Sequence, residues 1–363
     1  MILPNMIYNH GLSLPDICDF PDAGESLFPS ELNEEINAYD SHFGAAFSNL
    51  VPHAFNVAYD DLIKSIRRYI KLDNEEEGIL NEQVTRVKNA VSLYMDSCIN
   101  QVDRDDIPAT EMSEAMDNDG CYGFFVNTNQ LKQIRSYLNS DIEQLLSIGD
   151  HDAKPHFYDR FYAWKRNEKP VLFDMVDEIF NFHGVFNACS KYNRNRRNLS
   201  LDTIALHIAT PTDTHHFQTL RDLPTTSKCI SLHMDPKFNL VKSLLYLNDV
   251  DKDTGPFTTV PTSNRWYYEP FERLVACGNS TGNYLDTPKK RKVLRMFPSK
   301  MRKNVILGRY ILDDTVESDM LLTKMKEWTS DIADCIIFDP TQTLHRGGLC
   351  TNKNRINLQI LMR

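Results

Sequence analysis

The amino-acid sequence predicts an α+β protein whose helices come first and whose sheets close or sandwich in the second half of the chain. Apolar residues recur at helical spacing up to about residue 186, and from about residue 199 short strand-like runs alternate with turns. Helices followed by many short strands favour this class. With 363 residues, of which 41% are hydrophobic and 25% charged, the chain can bury a sizeable core.

The N-terminal region is predicted to consist of an extended arm followed by amphipathic helices. Prolines are frequent in the first 30 residues, which indicates an extended arm. The spacing of apolar residues predicts helices over residues 60–72, 78–99, 129–148 and 170–186, the last with Pro170 at its start. The acidic stretch 103–120 is expected to be irregular.

The C-terminal region is predicted to supply the sheets. Strand-like runs cover residues 201–209, 215–220, 229–235, 242–247, 256–260, 335–339 and 354–362. A longer excursion, residues 261–329, is expected to contain a basic loop at 288–292 and a helix at 318–328. We interpret residues 1–198 as an arm and helical region packed on a core of residues 199–363, the two forming one integrated domain with the excursion as an insertion.

Charge and cysteine usage limit the classes of function. Fifty acidic against forty basic residues give a net charge of −10, which argues against a nucleic acid or an anionic membrane as the partner. The sequence has no run of about 18 apolar residues and no signal-peptide pattern at its start, so neither a membrane span nor secretion is expected. Eight scattered cysteines without a Cys-x-x-Cys pair are typical of a reduced, intracellular protein, and a cytoplasmic location is expected.

The stretch 230–235 carries the first chemical signal. Successive side chains on a strand point to opposite faces, so Ser231, His233 and Asp235 are expected to share one face. An imidazole and a carboxylate placed in this way can reach the same ion. His345, next to a Gly-Gly turn, is the candidate third ligand. The alternative for His233 and Asp235 is a polar pair at a strand end, and His345 by itself could be an ordinary buried or exposed histidine.

Arg355 supplies the second signal. In the last predicted strand, apolar residues alternate with Arg355, Asn357 and Gln359, so Arg355 lies on the polar face, which would be the inner face of a closed sheet. Two imidazoles and one carboxylate on one face of a divalent iron leave three coordination positions, two for a 2-oxoacid and one for dioxygen. An arginine could then bind the distal carboxylate of a dicarboxylic acid through a bidentate pair.

These residues resemble the phytanoyl-CoA dioxygenase branch of the Fe(II)/2-oxoglutarate-dependent oxygenases. The resemblance covers about 165 residues from Leu199 onward, and its motifs are His233-Met-Asp235, Leu244-Leu-Tyr-Leu-Asn-Asp-Val-Asp-Lys-Asp-Thr-Gly-Pro-Phe257, Val260-Pro-Thr-Ser263, Ile336-Ile-Phe-Asp-Pro340, His345-Arg-Gly-Gly348 and Arg355. Where this family has a Val-Pro-Gly-Ser-His run, the chain has Val260-Pro-Thr-Ser-Asn264. This departure concerns the geometry of the loop rather than the metal ligands.

The resemblance implies a fold and a chemistry. The fold would be a double-stranded β-helix, the cupin-like jelly roll, braced by the N-terminal helices. His233, Asp235 and His345 would bind Fe(II), and Arg355 would bind the C5 carboxylate of 2-oxoglutarate. O2 would be consumed, with release of succinate and CO2. Hydroxylation is the default outcome, with desaturation or oxidative ring closure as alternatives.

Other residues are candidates for the cosubstrate or the substrate. Tyr246 and Lys242 follow the metal motif on the next strand and could line the cosubstrate pocket. The basic residues Arg194, Arg196 and Arg197 could bind a small-molecule substrate that carries a carboxylate or a phosphate, although a solvated loop explains them as well. Arg346 could touch the substrate or point outward. His215 and His216 could be extra ligands or a pair at a strand edge.

Two readings from other functional classes stay open at this stage. A jelly-roll protein without turnover could keep the ligands and serve as a binding or sensing module. The intact ligand set together with Arg355 favours activity, because a module without turnover does not need an anchored 2-oxoacid. A zinc hydrolase ranks last, since the sequence marks no general base beside the metal. The presence of Asp235 argues against halogenation, because related halogenases lack this carboxylate.

Overall fold

The computed structural model describes residues 29–48, 52–99, 107–148, 159–192, 199–211, 232–235, 240–265, 288–297, 316–348 and 350–363. The chain divides into two units, one of Met1–Asn100, Thr219–Phe238 and Arg265–Met320, the other of Gln101–Gln218, Asn239–Asn264 and Leu321–Arg363. Nearly all of the expected N-terminal arm lies outside the described residues. None of the helices in these ranges combines the length and the apolar character that a membrane span requires.

The described residues contain helices and strands along most of the chain. The helices are α1 (Ser30–Ser48), α2 (Pro52–Tyr69), α3 (Asn74–Ile99), α4 (Glu111–Asp119), α5 (Thr128–Tyr137), α6 (Asn139–Ser147), α7 (Pro170–Phe182), α8 (Val185–Tyr192), α9 (Pro288–Arg295) and α10 (Val316–Lys324). The strands are β1 (Cys121–Phe124), β2 (Asp159–Trp164), β3 (Leu201–Ala209), β4 (Val241–Tyr246), β5 (Phe257–Thr259), β6 (Lys326–Trp328), β7 (Cys335–Phe338), β8 (His345–Arg346) and β9 (Arg355–Met362).

The first unit contains α1, α2, α3 and α9, and it corrects one prediction. The basic run 288–292 forms the start of α9 rather than a loop, because lysine and arginine are good helix formers and proline is tolerated in the first turn. The Nζ of Lys292 lies 2.7 Å from a carboxylate oxygen of the buried Glu76 in α3. This ion pair joins α9 to α3. The ring of Tyr59 in α2 stacks on the ring of Phe297, two residues after the end of α9.

The second unit carries α4 to α8 and differs from the sequence predictions at three places. The stretch expected to be irregular contains α4, which Thr110 starts through a capping box with Ser113. The predicted helix 129–148 is two helices that meet at Leu138. The predicted helix 170–186 ends at Phe182, since Gly184 adopts a φ of 68° and α8 begins after it.

All strands of the second unit pair antiparallel, in two sheets. The larger sheet has the order β1-β7-β4-β9-β3-β2 and the smaller the order β6-β5-β8. After β4 the chain crosses to the small sheet for β5 and β6, returns for β7, crosses again for β8 and returns for β9. This alternation between two antiparallel sheets is the connectivity of a jelly roll, and the predicted α+β class is confirmed.

Most strand predictions agree with the structure to within one residue. The strand β3 coincides with the predicted run 201–209, and β4, β5, β7 and β9 shift by no more than one residue at either end. The predicted helix 318–328 is wrong at its end, because α10 stops at Lys324 and β6 follows. Of the predicted run 229–235, only residues 232–235 are described, and there only His233 forms an isolated bridge. The run 215–220 lies outside the described residues.

The central strand β9 has two chemically different faces. One face carries Ile356, Leu358, Ile360 and Met362, which pack into the main hydrophobic core together with α5, α7 and α8. On the other face lie Arg355, Asn357, Gln359 and the apolar Leu361. Tyr246 is the cross-strand partner of Asn357, so it shares that face, and Lys242 shares it because the alternation has a period of two. We call this second side, defined by Lys242, Tyr246, Arg355, Asn357 and Gln359, the inner face.

Shortening a core-facing side chain of β9 tests the assignment of its two faces. We expect Leu358→Ala to lower the free energy of unfolding by about 2–5 kcal/mol, because Leu358 is fully buried and its loss leaves a cavity. The matched control is Leu146→Ala on α6, whose side chain is 39% exposed, with an expected loss of less than about 1 kcal/mol. The measurement is urea unfolding of both variants, and equal losses would contradict the packing of β9.

Candidate metal centre

His345 is held by its own strand and by aromatic side chains. It is buried on β8, opposite Thr259 of β5. The rings of Phe338 and Phe257 lie 4.9 and 5.9 Å from the imidazole centroid. The Nδ1 atom is 2.9 Å from the carbonyl oxygen of Thr343. Because a carbonyl oxygen can only accept, Nδ1 carries the hydrogen, and the lone pair of Nε2 is available to a metal.

His233 and Asp235 lie close together in the first unit. The Nε2 atom of His233 lies 3.5 Å from Oδ1 of Asp235, and both side chains are largely buried. Leu232, between Ser231 and His233 in the sequence, is fully buried, as expected for the apolar side of this segment. All three predicted ligands are therefore among the described residues, with His233 and Asp235 in the first unit and His345 in the second.

The predicted donors suit a metal with open coordination positions. Two imidazole nitrogens and one carboxylate oxygen are the ligands of non-haem Fe(II) oxygenases, and some catalytic zinc sites use the same set. None of the predicted ligands is a thiolate, the donor that structural zinc and copper(I) sites favour. Burial raises the pKa of Cys189 and Cys335 to about 12, so these thiols stay protonated at neutral pH.

Arg355 is a buried cation on the inner face. Its Nη1 donates to the carbonyl oxygens of Gly255 and Gly348, the latter at 3.2 Å. Within the described part of the chain, no carboxylate lies within 4.0 Å of the guanidinium. A buried charge without a counter-ion is costly, so the surroundings of Arg355 favour an anion. Gly348 is three residues after His345, which links this cation to the strand of the candidate ligand.

Tyr246 and Lys242 lie on the inner face as the alternation predicts. The hydroxyl of Tyr246 donates to the carbonyl oxygen of Trp328 (2.8 Å) and accepts from the N–H of Phe257 (3.0 Å). Tyr246 therefore joins the large sheet to both β5 and β6. Burial raises the pKa of Tyr246 to about 12, so the phenol is neutral at physiological pH. Lys242 is partly buried opposite Phe338, whose ring contacts His345.

Of the remaining candidate residues, the structure describes only Arg346. Arg346 lies opposite Thr258 and therefore on the face of β8 that points away from His345. Arg194, Arg196, Arg197, His215 and His216 lie outside the described residues, as does Ser231.

Sequence reasoning missed the support given by the loop after β5. Thr262 has a φ of 69°, a left-handed conformation that suits glycine and strains a β-branched residue. The side-chain amide of Asn264 donates to the carbonyl oxygens of Met116 and Asp117 (3.3 and 3.2 Å) and so caps α4. The signal was the departure of Val260-Pro-Thr-Ser-Asn264 from a run that has glycine and histidine at these two positions.

Comparison with known proteins gives similarities of structure only. No protein-family model and no curated protein matches the sequence. Among solved structures, the chain is similar to the non-heme alpha ketoglutarate dependent carbocyclase SnoK from nogalamycin biosynthesis, with 12% identity, a TM-score of 0.41 and coverage of 71% of this chain and 84% of that one. It is also similar to Fe-bound EctD from S. alaskensis (10%, 0.40, 73% and 79%) and to AviO1 from Streptomyces viridochromogenes Tue57 (12%, 0.38, 70% and 95%). At these values the function has to be argued from the site.

Replacement of Thr262 by glycine tests the strained loop. We expect Thr262→Gly to raise the free energy of unfolding by about 1 kcal/mol. The left-handed conformation costs an ordinary residue about 1–2 kcal/mol, and relief of this cost is expected to exceed the cost of the greater conformational entropy that glycine gives to the unfolded chain. The control is Thr128→Gly at the exposed start of α5, where φ is negative and no gain is expected. Urea unfolding measures both, and a loss in Thr262→Gly would contradict the strain.

Proposed function

We propose that the protein is an Fe(II)/2-oxoglutarate-dependent oxygenase that oxidises an unactivated C–H bond of a small or medium-sized metabolite, with release of succinate and CO2. The observation that carries this proposal is the buried cation of Arg355 in the same unit as the buried His345, with His233 and Asp235 as the further proposed ligands. A metal site made only for structure would have no need of a second, anion-binding group on the inner face. Bound iron, with 2-oxoglutarate and O2, supplies the oxidising power that removes a hydrogen atom from the substrate.

The surroundings of His345 suit its proposed role as a ligand. Because Thr343 accepts the Nδ1 hydrogen, His345 presents Nε2 in the correct tautomer. Phe257 and Phe338 pack against the ring of His345, which restricts its rotation and excludes water from that side. Asp235 lies close enough to the imidazole of His233 to bind the same ion. In this role Asp235 occupies the position that halogenases leave open to chloride, so we propose oxygenation rather than halogenation.

Arg355 is proposed to bind the distal carboxylate of 2-oxoglutarate. The carbonyl oxygens of Gly255 and Gly348 hold Nη1 and so fix the plane of the guanidinium. The edge formed by Nε and Nη2 matches the two oxygens of a carboxylate, and a charge-assisted pair of this kind is strong in a buried site. Binding of the dianion would also neutralise the buried cation. Tyr246 and Lys242 are proposed to line the same pocket, Tyr246 through its ring and Lys242 through its charge.

The substrate is proposed to be small and could carry a carboxylate or a phosphate. Arg194, Arg196 and Arg197 are the candidate cations for such a group, and Arg346 is a weaker one because it points away from His345. Hydroxylation is the default outcome of hydrogen abstraction. Desaturation and oxidative ring closure would use the same ligands, and the product of the first accepted substrate decides among the three.

Anaerobic titration with Fe(II) and 2-oxoglutarate tests the ligand assignments. We expect a weak visible charge-transfer band near about 500 nm, as a 2-oxoacid gives when it chelates iron held by two histidines and a carboxylate. His233→Ala should abolish the band because it removes a ligand. Arg355→Lys should keep the band but require roughly ten- to a hundredfold more 2-oxoglutarate, since lysine cannot form the bidentate pair. The control is His183→Ala, whose ring packs between Phe124 and Phe182 and is not a ligand.

The possible results separate the parts of the proposal. Iron binding without the band would exclude the cosubstrate assignment and leave a differently used metal site. Absence of iron binding in the wild-type protein would exclude the metal site itself. A band with no succinate formed in air, across a broad substrate panel, would favour the binding or sensing module.

A further inference from the structure

We infer that Ser263 is a positioning residue for the proposed iron ligand His345, acting through the backbone of Leu344. This inference rests on the proposed function, because it concerns a side chain that would bind iron. Ser263 is not proposed to bind the metal itself. Its effect would be to fix the position of the Nε2 atom of His345. It belongs to the Val260-Pro-Thr-Ser263 turn that follows β5, within the same unit as His345.

Ser263 is hydrogen-bonded to Leu344, the residue directly before His345. The N–H of Leu344 donates to Oγ of Ser263 at 2.8 Å, and this hydroxyl in turn donates to the carbonyl oxygen of Val260 at 2.6 Å. The N–H of Val260 donates to the carbonyl oxygen of Leu344 at 2.9 Å. Both backbone polar groups of Leu344 are therefore held by one turn, on the N-terminal side of His345.

A second set of contacts holds Thr343, whose carbonyl oxygen accepts from His345. The hydroxyl of Thr343 donates to the carbonyl oxygen of Gly120 at 3.0 Å, and its N–H donates to the carbonyl oxygen of Asp339 at 2.9 Å. Gly120 has a φ of 73°, and a Cβ atom there would come within 2.1 Å of the Thr343 hydroxyl. The segment before His345 is thus fixed from two sides, and Ser263 is the side chain that secures Leu344.

The burial of these groups makes the hydroxyl of Ser263 consequential. Ser263, Thr343 and Leu344 are all fully buried. Removal of the hydroxyl would leave the Leu344 N–H without this acceptor, and burying a donor without a hydrogen-bond partner is energetically costly. The segment can reduce that cost by moving toward another acceptor or toward water. Either movement displaces His345, and metal sites tolerate ligand displacements of only about 0.5 Å.

Cobalt(II) binding separates a positioning role from a general effect on folding. We expect Ser263→Ala to raise the Kd for Co(II) about tenfold and to change the visible absorption of the bound ion, as loss of an outer-sphere partner of a ligand does. The matched control is Ser243→Ala, which removes another fully buried serine hydroxyl, 3.1 Å from Sγ of Cys335. We expect both variants to melt at a lower temperature, but Ser243→Ala should bind Co(II) within twofold of the wild-type Kd.

Further variants keep the outcomes distinct. If Ser263→Ala does not fold, Ser263→Cys replaces the hydroxyl by a weaker acceptor of similar shape and should raise the Kd two- to fivefold. A wild-type Kd in the folded Ser263 variant, or an equal rise in Ser243→Ala, would overturn the inference. If wild-type protein binds no Co(II), or if His345→Ala binds it as well as wild type, the proposed metal centre fails instead.

Discussion

The antiparallel pairing of β9 between β3 and β4 is the constraint on which the rest of the second unit depends. A strand with neighbours on both sides has a fixed register, and alternation then assigns every side chain to one face. The apolar half of β9 is committed to the helical core, where each fully buried aliphatic side chain contributes about 1.5–3 kcal/mol. A slip by one residue would put Arg355 into that core, so the energy of packing is also what holds the cation on the inner face.

Two polar groups of the inner face, Tyr246 and Arg355, have different kinds of partner. The Tyr246 hydroxyl is satisfied entirely by backbone groups of the small sheet, and it ties the two sheets together as a neutral phenol. Arg355 has backbone carbonyls as partners, which satisfy hydrogen bonds but do not neutralise its charge. The two residues lie on the same face, yet only Arg355 has an unmet electrostatic requirement. That difference separates a structural group from one suited to binding an anion.

Much of this organisation could be predicted from local patterns, and the failures have a common physical origin. The strand β3 and the polar side of β9 follow from alternation within a single segment, and the proximity of His233 to Asp235 follows from a spacing of two residues. The helix α9 was missed because a basic run looks like a solvated loop until Glu76 of a distant helix is placed against it. The capping of α4 by Asn264 depends on a partner more than 140 residues away. Contacts of that kind have no local signature.

The turn that carries Ser263 combines strain with strong tethering, and the two belong together. A β-branched residue at positive φ persists only where its surroundings over-determine the backbone. Here they do so on the C-terminal side of Thr262, since Ser263 bonds to Val260 and Leu344, and Asn264 bonds to α4. The same bonds that keep Thr262 in a strained conformation hold the backbone before His345. The bonds that make the turn rigid therefore also fix the backbone of the candidate ligand. Loss of these bonds would relax Thr262 and would also allow His345 to move.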